Sequence, residues 1–495
     1  MLTVSEISQF ILDDDCSEKK RLAKLGQRYY DGQHDILNYR FFYYDSDGIL
    51  QEDKTRSNVK IPHSFFTELV DQQVQYMLSG EGYFVKSDIP ELQNELDAYF
   101  NENEDFSAEL YELLTNTITK GFAYMYAYKN EDDRTAFQCA DTLGVVEVRA
   151  KDTDDKCEYV IYWYIDRIEK GTKKIKRIQV WDKNNVYYYV QDGEGKVELD
   201  ESVQTNPRPH TLYKKVNKNG KEDGAIYYEN FGFIPFFRLD NGKKQVSGLR
   251  PIKELIDDYD LMSSSLSNNL IDFDHPLYVV NGFQGDNLEE LQQNIKTKKT
   301  IGIPEGGGGV DIKTVDVPFQ ARSTKLALDE TNVYRFGMGF NSAQIGDGNI
   351  TNVVIKSRYA LLDLKCNKLE IHLKQFMRKI IKIVLSEINE REKTDYQLKD
   401  VYFDFTREVM TNAQDNAAIE QTKAQTEQVR INTLLNLANT LDNETIVQSI
   451  CEILDLDYEE LKDKLPPPAE EETEAAAVAA AAIPTEETAA VIPNE

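Results

Sequence analysis

With 495 residues the chain is long enough for two to four packed regions at roughly 150 residues per domain. Its 41% apolar and 29% charged residues are ordinary globular usage, which excludes a wholly disordered polymer. A formal net charge of −29, from 86 acidic against 57 basic side chains, repels a phosphate backbone and argues against a sequence-specific DNA binder.

The opening, MLTVSEISQFILDDD, has no basic region and meets acidic residues after a short apolar stretch, so no signal peptide is expected. No later run approaches the roughly 18 apolar residues of a membrane span. The first 130 or so residues read mostly as helix. Phe65, Leu69, Val70, Val74, Met77 and Leu78 recur at spacings of three and four, and a second helical stretch follows over 106–119. Over 122–237 the pattern changes to alternating aromatic and β-branched strands (VVEVRA, EYVIYWYID, RIQVWD, NVYYYVQ) divided by turns at 192–196 and 217–221. A β-rich layer is thus appended to a helical one.

A helix follows over LRPIKELIDDYDLMSSSLSNNLID, with Pro251 near its start, where a missing N–H does no harm. Leu249, Ile252, Leu255, Ile256, Tyr259, Leu266, Leu270 and Ile271 form its apolar stripe. A compact mixed unit at about 275–319 contains a strand (LYVVNGF), a helix (NLEELQQNIKT) and the glycine run 306–309. A second helix is expected over 321–340. Two helices bracketing a small unit describe a stalk with a cap. The polar segment FNSAQIGDGNITN at 340–352 breaks helical periodicity and reads as a loop. The strongest helix runs from 352 to 389, with Ile355, Tyr359, Leu362, Leu369, Leu373, Phe376, Ile380 and Val384 on one face, roughly 55 Å of rise. A strand at 401–408, a polar helix at 414–440 and short helices near 444–453 and 458–464 complete the ordered part. The alanine-, glutamate- and proline-rich residues 466–495 read as a solvated tail.

Catalytic motifs are missing. Each Gly-Lys pair (Gly195-Lys196, Gly220-Lys221, Gly242-Lys243) lacks the hydroxyl and upstream glycine of a phosphate loop. The five histidines show no HExxH or close pairing and read as separate polar residues. Asp45-Ser-Asp47-Gly48 resembles the start of a calcium loop, but Arg56 stands where the twelfth-position glutamate belongs, so a turn is expected. Cys16, Cys139, Cys157, Cys366 and Cys451 are scattered without CxxC or metal-ligand spacing and read as reduced, buried thiols of a cytosolic protein. No enzyme, cofactor or metal site is expected.

Four runs, in this order, carry a resemblance: RYYDGQHDILNYR at 28–40, NVKIPHSFFTELVDQQVQYMLSGEGYF at 58–84, GFIPFFRLDNGKKQVSGLRPIKELIDDYDLMSSSLSNNL at 232–270, and TNVVIKSRYALLDLKCNKLEIHL at 351–373. Together they resemble the portal proteins of long-tailed phages that infect Gram-positive bacteria, over about residues 20–465. The resemblance implies an α+β portal-like fold. Its wing would span 1–247 (helical 1–120, β-rich 121–240), with a first stem helix at 248–272, a small α/β clip at 273–320 and a second stem helix at 321–340. A tunnel loop at 341–352, a long wing helix with return strand at 353–409 and a helical crown at 410–465 would follow.

The implied function is a ring at one capsid vertex, dodecameric in the virion and assembled in the host cytoplasm. It would be a conduit for DNA packaging and ejection, would help to nucleate the procapsid, and would dock terminase and later head-completion and tail proteins. Scaffold, major capsid protein and head–tail adaptor are the other implied partners. Gln344, Asn349, Thr351 and Asn352 are the residues expected to reach passing double-stranded DNA, which would be contacted without sequence preference. Lys253 and Lys243 near the stem, and Lys296, Lys298 and Lys299 in the clip, are candidate DNA or partner contacts, with a solvated charge run as the plainer reading. The alternative is another head–tail connector or capsid subunit.

Overall fold

The computed structural model describes residues 1–54, 56–80, 84–149, 157–169, 171–216, 222–273, 277–281, 309–313, 318–341, 352–407, 413–436, 443–454 and 458. Contacts divide the chain into two units, Met1–Met410 and Thr411–Glu495.

The first unit opens with helices α1 (Val4–Asp15) and α2 (Glu18–Tyr30). Each starts at a residue type that satisfies free helix N–H groups. The Thr3 hydroxyl accepts from Glu6 N while the Glu6 carboxylate accepts from Thr3 N, a reciprocal cap. Ser17 accepts from Lys20 N. A short hairpin, β1 (Phe42–Tyr44) and β2 (Leu50–Glu52), precedes α3 (Phe65–Met77), β3 (Val85–Lys86), α4 (Pro90–Leu96), a π turn at Asp97–Asn101 and α5 (Glu104–Lys120). As expected, DSDG is a turn. Asp45 Oδ1 accepts from Asp47 N (3.0 Å) and Ile49 N (2.8 Å), and these bonds hold the carboxyl below its ordinary range. Gly121, with φ of 91°, ends α5 in a conformation that only glycine adopts freely and turns the chain directly into β4 (Phe122–Lys129).

The expected β-layer follows as β5 (Thr135–Ala140), β6 (Val145–Arg149), β7 (Cys157–Glu169), β8 (Lys173–Trp181), β9 (Asn185–Asp192), β10 (Val197–Leu199), β11 (Arg208–Pro209), β12 (Thr211–Val216), β13 (Glu222–Glu229) and β14 (Phe236–Asp240). Strands β10-β9-β8-β7-β6 form one antiparallel sheet, with β11 also pairing β9, and β14-β4-β5 form a second. Helix α1 buries Ile7 and Ile11 on the first sheet against Val146, Ile161, Ile178 and Val180. Lys20 of α2 is fully buried, and its ammonium donates to the carbonyls of Thr142 (2.7 Å), Leu143 (3.0 Å) and Val145 (2.8 Å). That cation binds α2 to the turn between the two sheets, satisfying groups that would otherwise be buried without partners.

Then come α6 (Lys253–Phe273), the antiparallel strands β15 (Leu277–Asn281) and β16 (Gly309–Lys313), α7 (Phe319–Gly337) and α8 (Asn352–Glu392). At 41 residues, α8 rises roughly 60 Å. Its Leu373, Phe376, Met377, Ile380, Ile381, Val384 and Ile388 are buried with Leu69, Val70 and Val74 of α3 and Leu110, Leu113 and Leu114 of α5 in the largest core. The expected strand at 401–408 shortens to β17 (Tyr402–Phe403), paired with β3. In the second unit, α9 (Ala413–Asn436) packs on α10 (Asn443–Ile453).

Two expectations need correction. Cys16 and Cys157 are exposed and Cys139 is half-buried, so only Cys366 and Cys451 are buried thiols. Leu270 and Ile271, assigned to the packed stripe of α6, are 50% and 53% exposed, because the stripe that Leu249, Ile252 and Ile256 begin in the core runs beyond it.

Gly26 sets the distance between α2 and α5. A Cβ there would fall on the Thr119 carbonyl oxygen, and that oxygen belongs to backbone and cannot rotate away. Gly26→Ala is therefore expected to lower stability by about 1–3 kcal/mol, read as a lower urea midpoint with an unchanged slope.

Candidate functional site: a helix pair and its two anchors

Helices α6 and α7 pack antiparallel. Lys325 reaches Asp258 (2.6 Å) and Asp329, and the Arg322 guanidinium donates to the Asn269 side-chain carbonyl (2.6 and 2.7 Å). The two helices expected on either side of the small mixed unit are therefore neighbours, at 253–273 and 319–337. The first begins later than 248 because Leu249–Ile252 forms turns ahead of it.

An extended segment, residues 57–63, lies along α6. Its alternate backbone N–H groups meet every fourth side chain of the helix. Ser57 N donates to Asp272 (3.2 Å), Val59 N to Asn268 (2.6 Å), Ile61 N to Ser264 (3.0 Å) and His63 N to Asp260 (2.9 Å). Two residues of extended chain advance about 6.6 Å and four of helix about 6 Å, so the two repeats stay in step for four rungs. The Asn268 amide returns a hydrogen bond to Val59 O at 3.3 Å. This ladder satisfies backbone donors that have no strand beside them.

Its top rung is the most buried. Asp260 is wholly inaccessible, and its carboxylate meets His34 Nδ1 at 2.6 Å and His63 Nδ1 at 2.8 Å. His34, equally buried, stacks on Tyr29 at 4.6 Å, and its Nε2 faces the Tyr29 carbonyl at 3.2 Å. The Tyr29 hydroxyl donates to Asp257, and Lys253 pairs with Asp257 and with Asp35 (3.0 Å). His34 and His63, which read as unrelated polar residues in sequence, thus share one carboxylate. YYDGQHD and KIPH are the two halves of this node, a role that neither run reveals alone.

The exit of α7 is held by α3. Gly337 and Gly339 approach Leu69 so closely that a Cβ on either would meet its methyl groups. Met338, between them, has φ of 55° and caps α7 in the left-handed region. The Gln72 amide then pairs with both backbone groups of Phe340, accepting from its N at 3.0 Å and donating to its O at 2.8 Å. Phe340 stacks on Tyr359 of α8 at 4.9 Å. Lys365 of α8 donates to the Gly337 carbonyl at 2.9 Å, where a helix end favours a cation. The chain thus leaves the described residues at 341 from a fixed platform.

The residues expected at the site divide as follows. Gln344, Asn349, Thr351, Lys296, Lys298 and Lys299 lie outside the described residues. Asn352 opens α8, and its side chain is also outside the description. Lys253 is occupied by two carboxylates of its own subunit. Lys243 is exposed in the turn after β14. Among the described residues no cluster of His, Cys, Asp or Glu fits a metal ion, and no helix is long and apolar enough to cross a membrane.

Two outcomes follow. Asp260→Ala strands two imidazoles and the His63 N–H, and is expected to cost about 3 kcal/mol in chemical denaturation. Burial pushes the Lys365 ammonium down to about 8. The unfolded chain, near 10.4, therefore holds that proton more tightly, and stability should rise as pH climbs from about 8 to 10. Below that window the ammonium is charged in both states and the difference is constant. Lys365→Met should flatten this rise relative to the parent chain when thermal midpoints are compared across pH.

The sequence matches the family described as "Phage portal protein, SPP1 Gp6-like" over residues 8–463. It is 28% identical over 405 residues to the portal protein of Bacillus phage SPP1, covering 81% of this chain and 76% of that protein. It is 24% identical over 410 residues to the portal protein of Clostridium phage phiCD119, covering 78% and 85%. A match of this extent, over an α+β chain with the helix pair described above, places the protein: it belongs to the SPP1 Gp6-like family of phage portal proteins, which are structural, non-enzymatic components of the virion.

Proposed function

We propose that this chain closes into a ring, expected to be a dodecamer, at one vertex of the capsid and serves as the conduit for DNA entering and leaving the head. The observation that carries the reading is the antiparallel α6–α7 pair, bound along α6 by the 57–63 strap and clamped at the exit of α7 by Gln72, in a chain matched from 8 to 463 by a portal family. In this reading the wing is 1–247, the stem comprises 248–272 and 321–340, and the clip is 273–320. The tunnel loop is 341–352, the long helix with its return strand is 353–409, and the crown is 410–465.

Gln344, Asn349, Thr351 and Asn352 would face the DNA as neutral groups. The net charge of −29 supports a conduit on physical grounds. A wall of lysine and arginine would bind duplex phosphates with strong salt-dependent affinity and arrest movement, whereas an acidic one lets the duplex slide. Lys243, Lys296, Lys298 and Lys299 would face DNA or the acidic surfaces of terminase or adaptor. Scaffold and major capsid protein are the remaining partners, with assembly in the host cytoplasm.

Native mass spectrometry and negative-stain imaging of the purified chain at moderate salt test the proposal. Closed rings with a central opening wide enough for duplex DNA are expected. A chain that stays monomeric even with scaffold protein present would overturn it.

A further inference from the structure

The β1–β2 hairpin has no packing of its own. Every residue of both strands is exposed, on both faces. Phe42, Tyr43, Tyr44, Ile49 and Leu50 are each more than half exposed, Tyr44 reaching 73%. A two-stranded hairpin by itself is at best marginally stable in water, and five large apolar side chains within eleven residues form a patch that soluble surfaces do not leave bare. The Asp45 turn shapes it into a firm projection, and the strap that follows ties its root to Asp272 at the C-terminal end of α6.

We infer that this hairpin is an arm that packs against the next copy of the chain in the ring, on the N-terminal half of its α7. The inference rests on the ring reading above, in which α6 and α7 run along the channel. Rotation about the ring axis preserves height, so an arm rooted at Asp272 meets its neighbour at the level where α6 ends and α7 begins. There Phe319 of α7 and Leu270 and Ile271 of α6 stand exposed. Charge selects the same surface. Asp45 and Asp47 make the arm's tip acidic in a chain of net charge −29, so the arm needs a face without carboxylates. From Phe319 to Leu328 there is no acidic residue, Arg322 bonds the neutral Asn269 while Lys325 is taken up by Asp258 and Asp329 further along, and Leu261 to Ile271 of α6 carries no charge at all. Arm and receiving face are different surfaces of one chain, as a closing head-to-tail ring requires.

A photo-crosslinking benzophenone amino acid at Tyr44 in the full-length assembled protein reads the contact. A covalent dimer whose linked peptide comes from 319–335 is expected. Rings that form normally but give only links within one chain, or links to another segment of the neighbour, overturn the inference while leaving the ring intact. Failure of the parent chain to form rings at all would instead count against the ring reading. A second measurement uses Phe42→Ser/Tyr43→Ser/Tyr44→Ser. These positions touch no core, so the subunit should keep its thermal midpoint yet lose at least tenfold in ring yield at equal concentration. Unchanged ring yield overturns the inference.

Discussion

Asp260 is the point on which the first unit depends. Its carboxylate has no access to water, and a buried carboxylate without partners is prohibitive in a folded protein. Here three partner groups come from two separate places in the chain: the His34 ring, and the ring and backbone N–H of His63. Satisfying one side chain therefore forces the end of α2, the entry to α3 and helix α6 into a single arrangement. The three further rungs of the ladder prolong that arrangement along α6, so the helix is held along its polar face as well as by apolar packing.

The exit of α7 follows a different logic. Around Asp260 the fit is electrostatic, whereas at Gly337 and Gly339 it is steric, because only hydrogen lies between the backbone and Leu69. Gln72 then takes both hydrogen bonds that Phe340 offers. One element, α3, thus carries the clamp at the exit of α7 and also supplies Leu69, Val70 and Val74 to the core that α8 spans.

Surface chemistry complements this rigidity. The chain spreads its negative charge widely, yet leaves residues 261–271 of α6 and the first half of α7 free of acid while Leu270, Ile271, Phe319 and Leu328 remain exposed. A protein that worked alone would gain nothing from that combination. In a ring the repulsion between like-charged copies is best kept away from the faces that meet.

The element order was legible from the chain alone: the α3 stripe, the β-layer from 122, the bracketing helices and the long α8 all follow from apolar spacing that repeats at 3.6 or 2 residues. The turn at Asp45 was legible too, since an Asx residue shapes its own backbone locally. Periodicity says which face of an element is apolar, but not how far the core extends along it, so Leu270 and Ile271 were assigned to packing that ends before they are reached. Nor does it tell a thiol's depth, as Cys16 and Cys157 demonstrate. The node itself was invisible. His34 and Asp260 are separated by 226 residues and His63 and Asp260 by 197, and no local rule connects them. Only the folded chain, by taking Asp260 out of water, decides that these three polar residues must meet.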